Sequence, residues 1–487
     1  MTKIEIIGLG ACAIVAALSF ECGTTPECDV DAGCADASSV PPVSGGGCDS
    51  SKPPSQGGCA VDDTDGFFVS PAGSDTGVGS KAAPFQTIGR GILAAAGNVT
   101  KPNVYICQGT YAENLVIQTA PAGVALHGGF DCTGWTQTSA PTTVAPKWMT
   151  GDAEPQYVLD VIGAAALVES MTLTAPDATD PGASSIAAFV NGSPGMTFRR
   201  AAVTSGHGAD AVPVGLPPAA LPANADGNPA VSDTQGGASR SCPCATDTTT
   251  GGAGGAYNGS SAIDPMGGLP IEPADPEAGA PGPCTGPIGA DGADGGVGAS
   301  ATSIGVLTAS GWQPGGGAAG VIGATGQGGA GGGFRVGGPP NAGGSGACGG
   351  CGGEGAPGGA AGGASLAIVV LNATLRIQAS SIHAGSGGQG GDGGAIGQAG
   401  QPGGSGGIGS PALNGVCHGG AGGTGGAGGP GGGGAGGSSV AIATVATTPD
   451  IDAFSTVLAG TAGKGGHDGS PQAVKAVDGV AEVTHAF

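Results

Sequence analysis

Basic side chains are scarce in this sequence. Only 13 of 487 residues are Lys or Arg, against 36 Asp or Glu, for a formal net charge of −23. So few cations cannot neutralise many phosphates, which excludes nucleic acid and anionic membrane surfaces as partners. Aromatic residues make up 3% and charged residues 10%, which argues against an enzyme of ordinary size built on a large aromatic core. Usual disorder needs low hydrophobicity and dense charge, whereas mean hydropathy here is +0.16. Glycine is what the chain has in abundance. Its 109 Gly and 37 Pro are 146 of 487 residues, about 30%, a composition of low-complexity or polyglycine-like structure.

The N-terminus reads as an export signal. Lys3 precedes an apolar run from Ile6 to Phe20, too short to span a bilayer comfortably but the size of a signal-peptide core. Ala17 and Ser19 satisfy the small-residue rule for cleavage. Leu9-Gly10-Ala11-Cys12 resembles a bacterial lipobox, and Cys22 lies at the better depth, so Cys22 and Cys12 are the lipidation candidates. The 14 Cys point to an oxidising compartment. Cleavage after Ser19 leaves 13, whereas lipid on Cys22 leaves 12 for bridges. The expected order is a signal peptide over 1–21, a Cys-rich tether over 22–65 and an N-terminal β-helix over 66–208. A Gly/Pro-rich insertion over 209–363, a rung over 364–388, a Gly-Gly-x insertion over 389–437 and a last rung with a tail over 438–487 follow.

From Gly66 short strand-forming runs alternate with turns: Phe67–Asp75, Lys81–Ile88, Val104–Ile117 and Leu126–Asp131, with a helix of small residues over 91–96. Over roughly residues 66–175 this order of motifs resembles the opening of bacterial right-handed parallel β-helix proteins of the pectin-lyase-like superfold. The resemblance implies an all-β coil of stacked parallel rungs whose first edge the helix protects. It does not imply an activity, because a fold is a scaffold for sites. Cys107 and Cys132 lie in neighbouring strand contexts and are a candidate disulfide.

One pattern recurs. Ser185–Val190, Met196–Phe198 and Val203–Gly206 have counterparts in Ser365–Val370, Leu375–Ile377 and Ile382–Gly385. A third copy runs from Ser439–Thr444 to Val457–Gly460, with its middle shifted by about one residue. Each copy reads as strand, turn, strand, most of a rung. The material between the copies is nearly all Gly, Ala, Pro and Ser. Residues 419–430 read Gly-Gly-Ala, Gly-Gly-Thr, Gly-Gly-Ala, Gly-Gly-Pro. Collagen needs one Gly per triplet, whereas two leave two bare faces on a three-per-turn extended helix. Such helices can pack through backbone N–H···O=C and Cα–H···O contacts, so the insertions are expected to form polyglycine II bundles. With the exported leader, this resembles Gly-rich bacterial surface proteins, including those labelled PE-PGRS-like in myxobacteria. The Pro-Glu N-terminal domain that label implies is absent.

The residues for chemistry are few. Gly206-His207-Gly208 resembles the Gly-His-Gly of polygalacturonase-like hydrolases, but the Asp segments and the Arg-x-Lys that accompany it are missing, so His207 reads as a turn residue. His127, beside Gly128-Gly129, reads the same way. Polysaccharide lyases of the superfold need clustered Asp for calcium and an Arg or Lys as base, and of the 13 basic residues here only Arg199 and Arg200 are adjacent. Cys242-Pro243-Cys244 and Cys348-Gly349-Gly350-Cys351 could hold a metal or run redox chemistry, but in an exported Gly-rich chain they are disulfide candidates. The acidic turn Asp62–Gly66 lacks the Glu that closes an EF-hand, and Gly387–Asp392 matches a calcium nonapeptide only in part. No cofactor is expected, and calcium is the one ion the sequence leaves open. The expectation is a non-enzymatic extracellular or outer-membrane-surface structural or adhesion protein with no catalytic residues. It would meet glycan, extracellular matrix or another cell, held to the outer membrane through any lipid anchor. The alternatives are a β-helical polysaccharide lyase or glycoside hydrolase, and an ice- or mineral-binding protein.

Overall fold

The computed structural model describes residues 61–487 except 119, 149–150, 152–155, 213–214, 216–223, 246, 270–283, 336–338 and 412–416. The Val-, Ile-, Leu- and Thr-rich runs form strands that stack in parallel and in register, making the trunk an all-β parallel β-helix with three long sheets. The first sheet holds strands Gly66–Val69, Asn103–Cys107, Val124–Phe130, Ala166–Glu169, Met196–Arg199, Leu375–Gln378 and Asp450–Ile451. The second runs from Leu115–Gln118 through Tyr157–Ile162, Ser185–Asn191, Ser365–Leu371 and Ser439–Val445 to Ala481–Ala486. The third stacks Gly109–Tyr111, Thr142–Val144, Met171–Thr174, Ala202–Thr204, Ser381–His383 and Thr456–Leu458.

Alternation along each strand sends one column inward. In the first sheet, Val104, Leu126, Val168, Phe198 and Ile377 lie in register and fully buried. In three successive rungs the chain turns from the first sheet to the third through a single left-handed residue, Ser170, Arg200 and Ala379, at φ 53°, 48° and 46°. A helix, Ile88–Ala96, closes the N-terminal end with Ile88, Ile92 and Ala95 against the core. The Thr87 hydroxyl caps it by accepting from the Arg90 N–H (3.2 Å), and Glu113, one rung on, accepts from the N–H of Ile88 and Gly89 (2.8 and 2.9 Å). An anionic carboxylate at this end suits the helix dipole.

The recurrent pattern is a rung, and its terminal residues are a corner clamp. Ser185, Ser365 and Ser439 stack in register at the start of the second sheet's strands. Their hydroxyls donate to the carbonyls of Pro176, Gly206 and Gly385 (2.8, 2.6 and 2.6 Å), while Ser185 and Ser439 accept the N–H of Gly206 and Gly460 (2.9 and 2.8 Å). Both long glycine-rich segments leave the trunk after the third sheet and return at this corner, so strands about 180 residues apart in sequence, such as Ser185–Asn191 and Ser365–Leu371, become neighbours. The hairpin Gly305–Thr308 with Gly311–Pro314 emerges from the glycine-rich part and seats Trp312 among Ile186, Phe189, Leu366 and Val369 on the second sheet's outer face.

Candidate functional surface

Segment 417–437 sits at the centre of the glycine-rich part. The N–H of Gly420, Gly423, Gly426, Gly429 and Gly432 donate to the carbonyls of Ala330, Gln327, Ala324, Val321 and Ala318 at 2.8–2.9 Å. Those of Gly422, Gly425, Gly428 and Gly431 donate to Gly404, Gln401, Gln398 and Gly394. Its own carbonyls accept from Gly286, Gly289, Gly292, Gly295 and Gly298 on one side, and from Gly350, Gly353, Ala356, Gly359 and Gly362 on another. Apart from one four-residue step between Gly394 and Gln398, the bonds recur at every third residue, the spacing of a three-per-turn extended helix. Segments 284–301 and 342–363 run parallel to the centre, and 315–333 and 385–410 run antiparallel.

This packing dictates glycine. A Cβ on Gly422, Gly425 or Gly428 would overlap the carbonyl oxygen of Cys348, Cys351 or Glu354, and one on Gly423, Gly426 or Gly429 would overlap that of Ala290, Ala293 or Gly296. The third residue of each triplet faces outward and keeps its side chain: His418, Ala421, Thr424, Ala427, Pro430. Outward N–H groups need another acceptor, and aspartates of adjacent segments provide it. Asp291 and Asp294 accept from Thr424 and Ala427 (2.7 and 2.8 Å), Asp210 and Asp226 from Gln389 and Ser405 (2.6 and 2.7 Å), and Asp392 from His467 (2.7 Å). Much of the acidic excess is therefore backbone capping. His207 belongs to the same scheme: its N–H donates to Asp177 and its Nδ1 accepts from the Ser386 N–H (2.7 and 2.9 Å).

Disulfides join the described cysteines in four pairs. Cys107 is bonded to Cys132, Cys242 to Cys348, Cys244 to Cys351 and Cys284 to Cys417. The second and third fasten the hairpin Arg240–Pro243 with Thr248–Gly251 to segment 342–363. Sequence reasoning missed the Cys284–Cys417 pair because 133 residues separate two cysteines that only the packing of 284–301 against 417–437 unites. Cys12 and Cys22, the signal peptide and most of the tether lie outside the described residues. Among the described residues no His, Cys, Asp and Glu cluster could hold a metal ion. Asp62 accepts from Thr64, and Asp63 from the Lys81 N–H.

His127 overturns its sequence reading as a turn residue. It lies inside strand Val124–Phe130, 3% exposed, because Gly128 and Gly129 follow it within that strand. On the first sheet's outer face, Phe68, Tyr105, His127, Glu169, Arg199 and Gln378 form one column in register. Tyr105 stacks on His127 at 5.6 Å between centroids. His127 Nδ1 meets the Glu169 carboxylate at 2.6 Å, and Arg199 and Arg200 reach its other oxygen at 2.9 and 2.5 Å. Burial pushes the Glu169 carboxyl up, but the bonds from His127 and Arg199 outweigh it and hold the group below the usual carboxylate range. Loop residue Trp135, edge-on to Phe68, covers the aromatic end of the column. Among the described residues Arg199 Nη2 is buried without a hydrogen-bond partner and Arg200 stays partly exposed, but the His127, Glu169 and Arg199 contacts cross three neighbouring strands, an arrangement suited to holding rungs in register. The adjacent Arg199-Arg200 pair was its only visible signal in the sequence.

No family model, no curated protein and no solved structure matches this chain.

Proposed function

We propose that the protein is a non-enzymatic extracellular or outer-surface structural and adhesion protein, a β-helix trunk carrying a polyglycine II bundle that presents a rigid, repetitive face to glycan, matrix or another cell. One observation carries this reading: the three-residue hydrogen-bond lattice fixes exposed columns such as Ile288, Asp291, Asp294 and Val297 at regular intervals. A face of that kind is organised for contact along its length. Export through residues 1–21, with a lipid on Cys22 or Cys12, would place it there, and the disulfides suit an oxidising compartment. Among the described residues no helix is long and apolar enough to cross a membrane.

The purified chain should bind immobilised matrix or cell-surface polysaccharide without degrading it. A polysaccharide panel with and without calcium tests this. Turnover that chelation or His207→Ala abolishes would overturn the reading in favour of a β-helical lyase or hydrolase. Thermal hysteresis without glycan binding would favour an ice-binding face.

A further inference from the structure

Residues 460–469 lie in a lane between segments 385–410 and 417–437. The N–H of Gly387, Gly390 and Gly393 donate to the carbonyls of Thr461, Lys464 and His467 (2.9, 2.8 and 2.8 Å), and the N–H of Gly463, Gly466 and Gly469 donate to those of Gly437, Gly434 and Gly431 (2.9 Å each). At Ser470 the chain turns out of the lane, its turn held by the Asp468 carboxylate, which accepts from the N–H of Ser470 and Val474 (3.0 and 3.1 Å). Both walls go on. The Cα atoms of Gly387, Gly390 and Gly393 face the carbonyls of Gly437, Gly434 and Gly431, and the same column continues as Gly397, Gly400, Gly403 and Gly406 facing Gly428, Gly425, Gly422 and Gly419. Among the described residues, nothing accepts from the N–H of these four glycines on 385–410, and nothing donates to the four facing carbonyls. Gly400, Gly403, Gly406 and Gly422 are partly exposed.

The rim changes where the lane opens. Beside 460–469 the outer column of 385–410 is Ser386, Gln389 and Asp392, and the last two accept the N–H of Lys464 and His467 (2.9 and 2.7 Å). Beyond, with one extra residue in the register, it becomes Ile396, Ala399 and Pro402, of which Ile396 is 78% exposed.

We propose that this open half-lane binds an extended Gly-x-x segment of another polypeptide, running antiparallel to 417–437 as 460–469 does. Unpaired backbone donors and acceptors in regular rows are a template for strand addition. The occupant must carry glycine at every third residue, because a Cβ on Gly463, Gly466 or Gly469 would overlap the carbonyls of Gly388, Gly391 or Gly394. The Ile396 rim favours small or apolar side chains at the next position. Four triplets, on the order of 35 Å at about 3.1 Å per residue, match the rows. This deepens the adhesive reading and rests on it for where such a partner is met.

The test uses the oxidised full chain and a fluorescein-labelled (Gly-Ala-Ser)5 peptide, beside a control with Ala in place of each Gly. Saturable anisotropy binding is expected for the glycine peptide and at least about tenfold weaker binding for the control. Hydrogen exchange should slow over 397–406 and not over 387–393. Ala399→Asp, which supplies the acceptor that Asp392 supplies in the other half, should tighten binding about tenfold, the weight of one charge-assisted hydrogen bond. No saturable binding, equal binding of both peptides, or protection elsewhere overturns the proposal. Protection of 397–406 that rises with protein concentration without peptide, alongside a dimer in sedimentation, means a second copy fills the lane and also overturns it. Failure here with intact polysaccharide binding leaves the adhesive reading standing, whereas loss of polysaccharide binding alone would not touch the lane.

Discussion

At the scale of single residues, the bundle depends on atoms that are missing. In segment 417–437 each Gly-Gly-x triplet meets neighbours on both bare sides, and the x side chain points away from them. The sequence carries this directly, since two of every three positions admit no Cβ. It even marks where a further neighbour arrives. After Pro430 the third position becomes glycine at 433 and 436, and there 460–469 packs, with carbonyls of Gly466 and Gly463 where a Cβ would stand. We therefore expect Gly425→Ala, which drives a methyl into the Cys351 carbonyl, to cost about 3 kcal/mol, at the upper end of overpacking effects. Thr424→Ala, one residue earlier, removes only an outward side chain and should change stability by no more than about 0.5 kcal/mol. Urea midpoints of the two variants check this, and similar midpoints would mean the packing is looser than described.

At the scale of elements, the strands and the recurring rung were legible, because apolar residues in short runs need a face to bury and Ser and Gly recur where the corner clamp needs them. The column on the first sheet's outer face was not legible. His127, Glu169 and Arg199 stand 42 and 30 residues apart, and only the lengths of the intervening turns bring them into register. Which glycine segment neighbours which was hidden for a related reason: a glycine face looks the same to every partner. The column has a pH consequence. Glu169 has a folded pKa below its unfolded value, so its contribution is fully present above the unfolded value of about 4.3 and disappears as pH falls through the folded one. Glu169→Gln leaves two guanidinium groups without their counter-charge and should cost about 3 kcal/mol at pH 7. It should also flatten the loss of stability below about pH 4.3 relative to the unaltered chain. Chemical denaturation at a series of pH values measures both, and parallel curves would remove Glu169 from the acid response.

For the whole molecule, trunk and bundle are stabilised by different forces. The trunk buries columns of Val, Leu, Ile and Phe, and Cys107–Cys132 is its one disulfide among the described pairs. The bundle buries mostly backbone, where each hydrogen bond contributes only about 1 kcal/mol net and ordering glycine is costly in entropy. Cross-links then carry more of the stability. Cys242–Cys348, Cys244–Cys351 and Cys284–Cys417 close loops of 106, 107 and 133 residues, and in the chain-entropy picture a loop of that length removes about 4–5 kcal/mol of unfolded-state freedom when it stands alone. The first two share most of one loop, so their effects overlap. Reduction should therefore loosen the bundle before the trunk. Hydrogen exchange under a reductant should speed over 284–301, 342–363 and 417–437, while Tyr157–Ile162 and Ser185–Asn191 keep their protection. The Ser365 clamp and Trp312 tie the bundle's return path to the second sheet, so Ser365–Leu371 should respond between the two. Simultaneous loss of protection everywhere would mean that bundle and trunk unfold as one unit and that the glycine lattice, with its backbone bonds alone, is as robust as the apolar core.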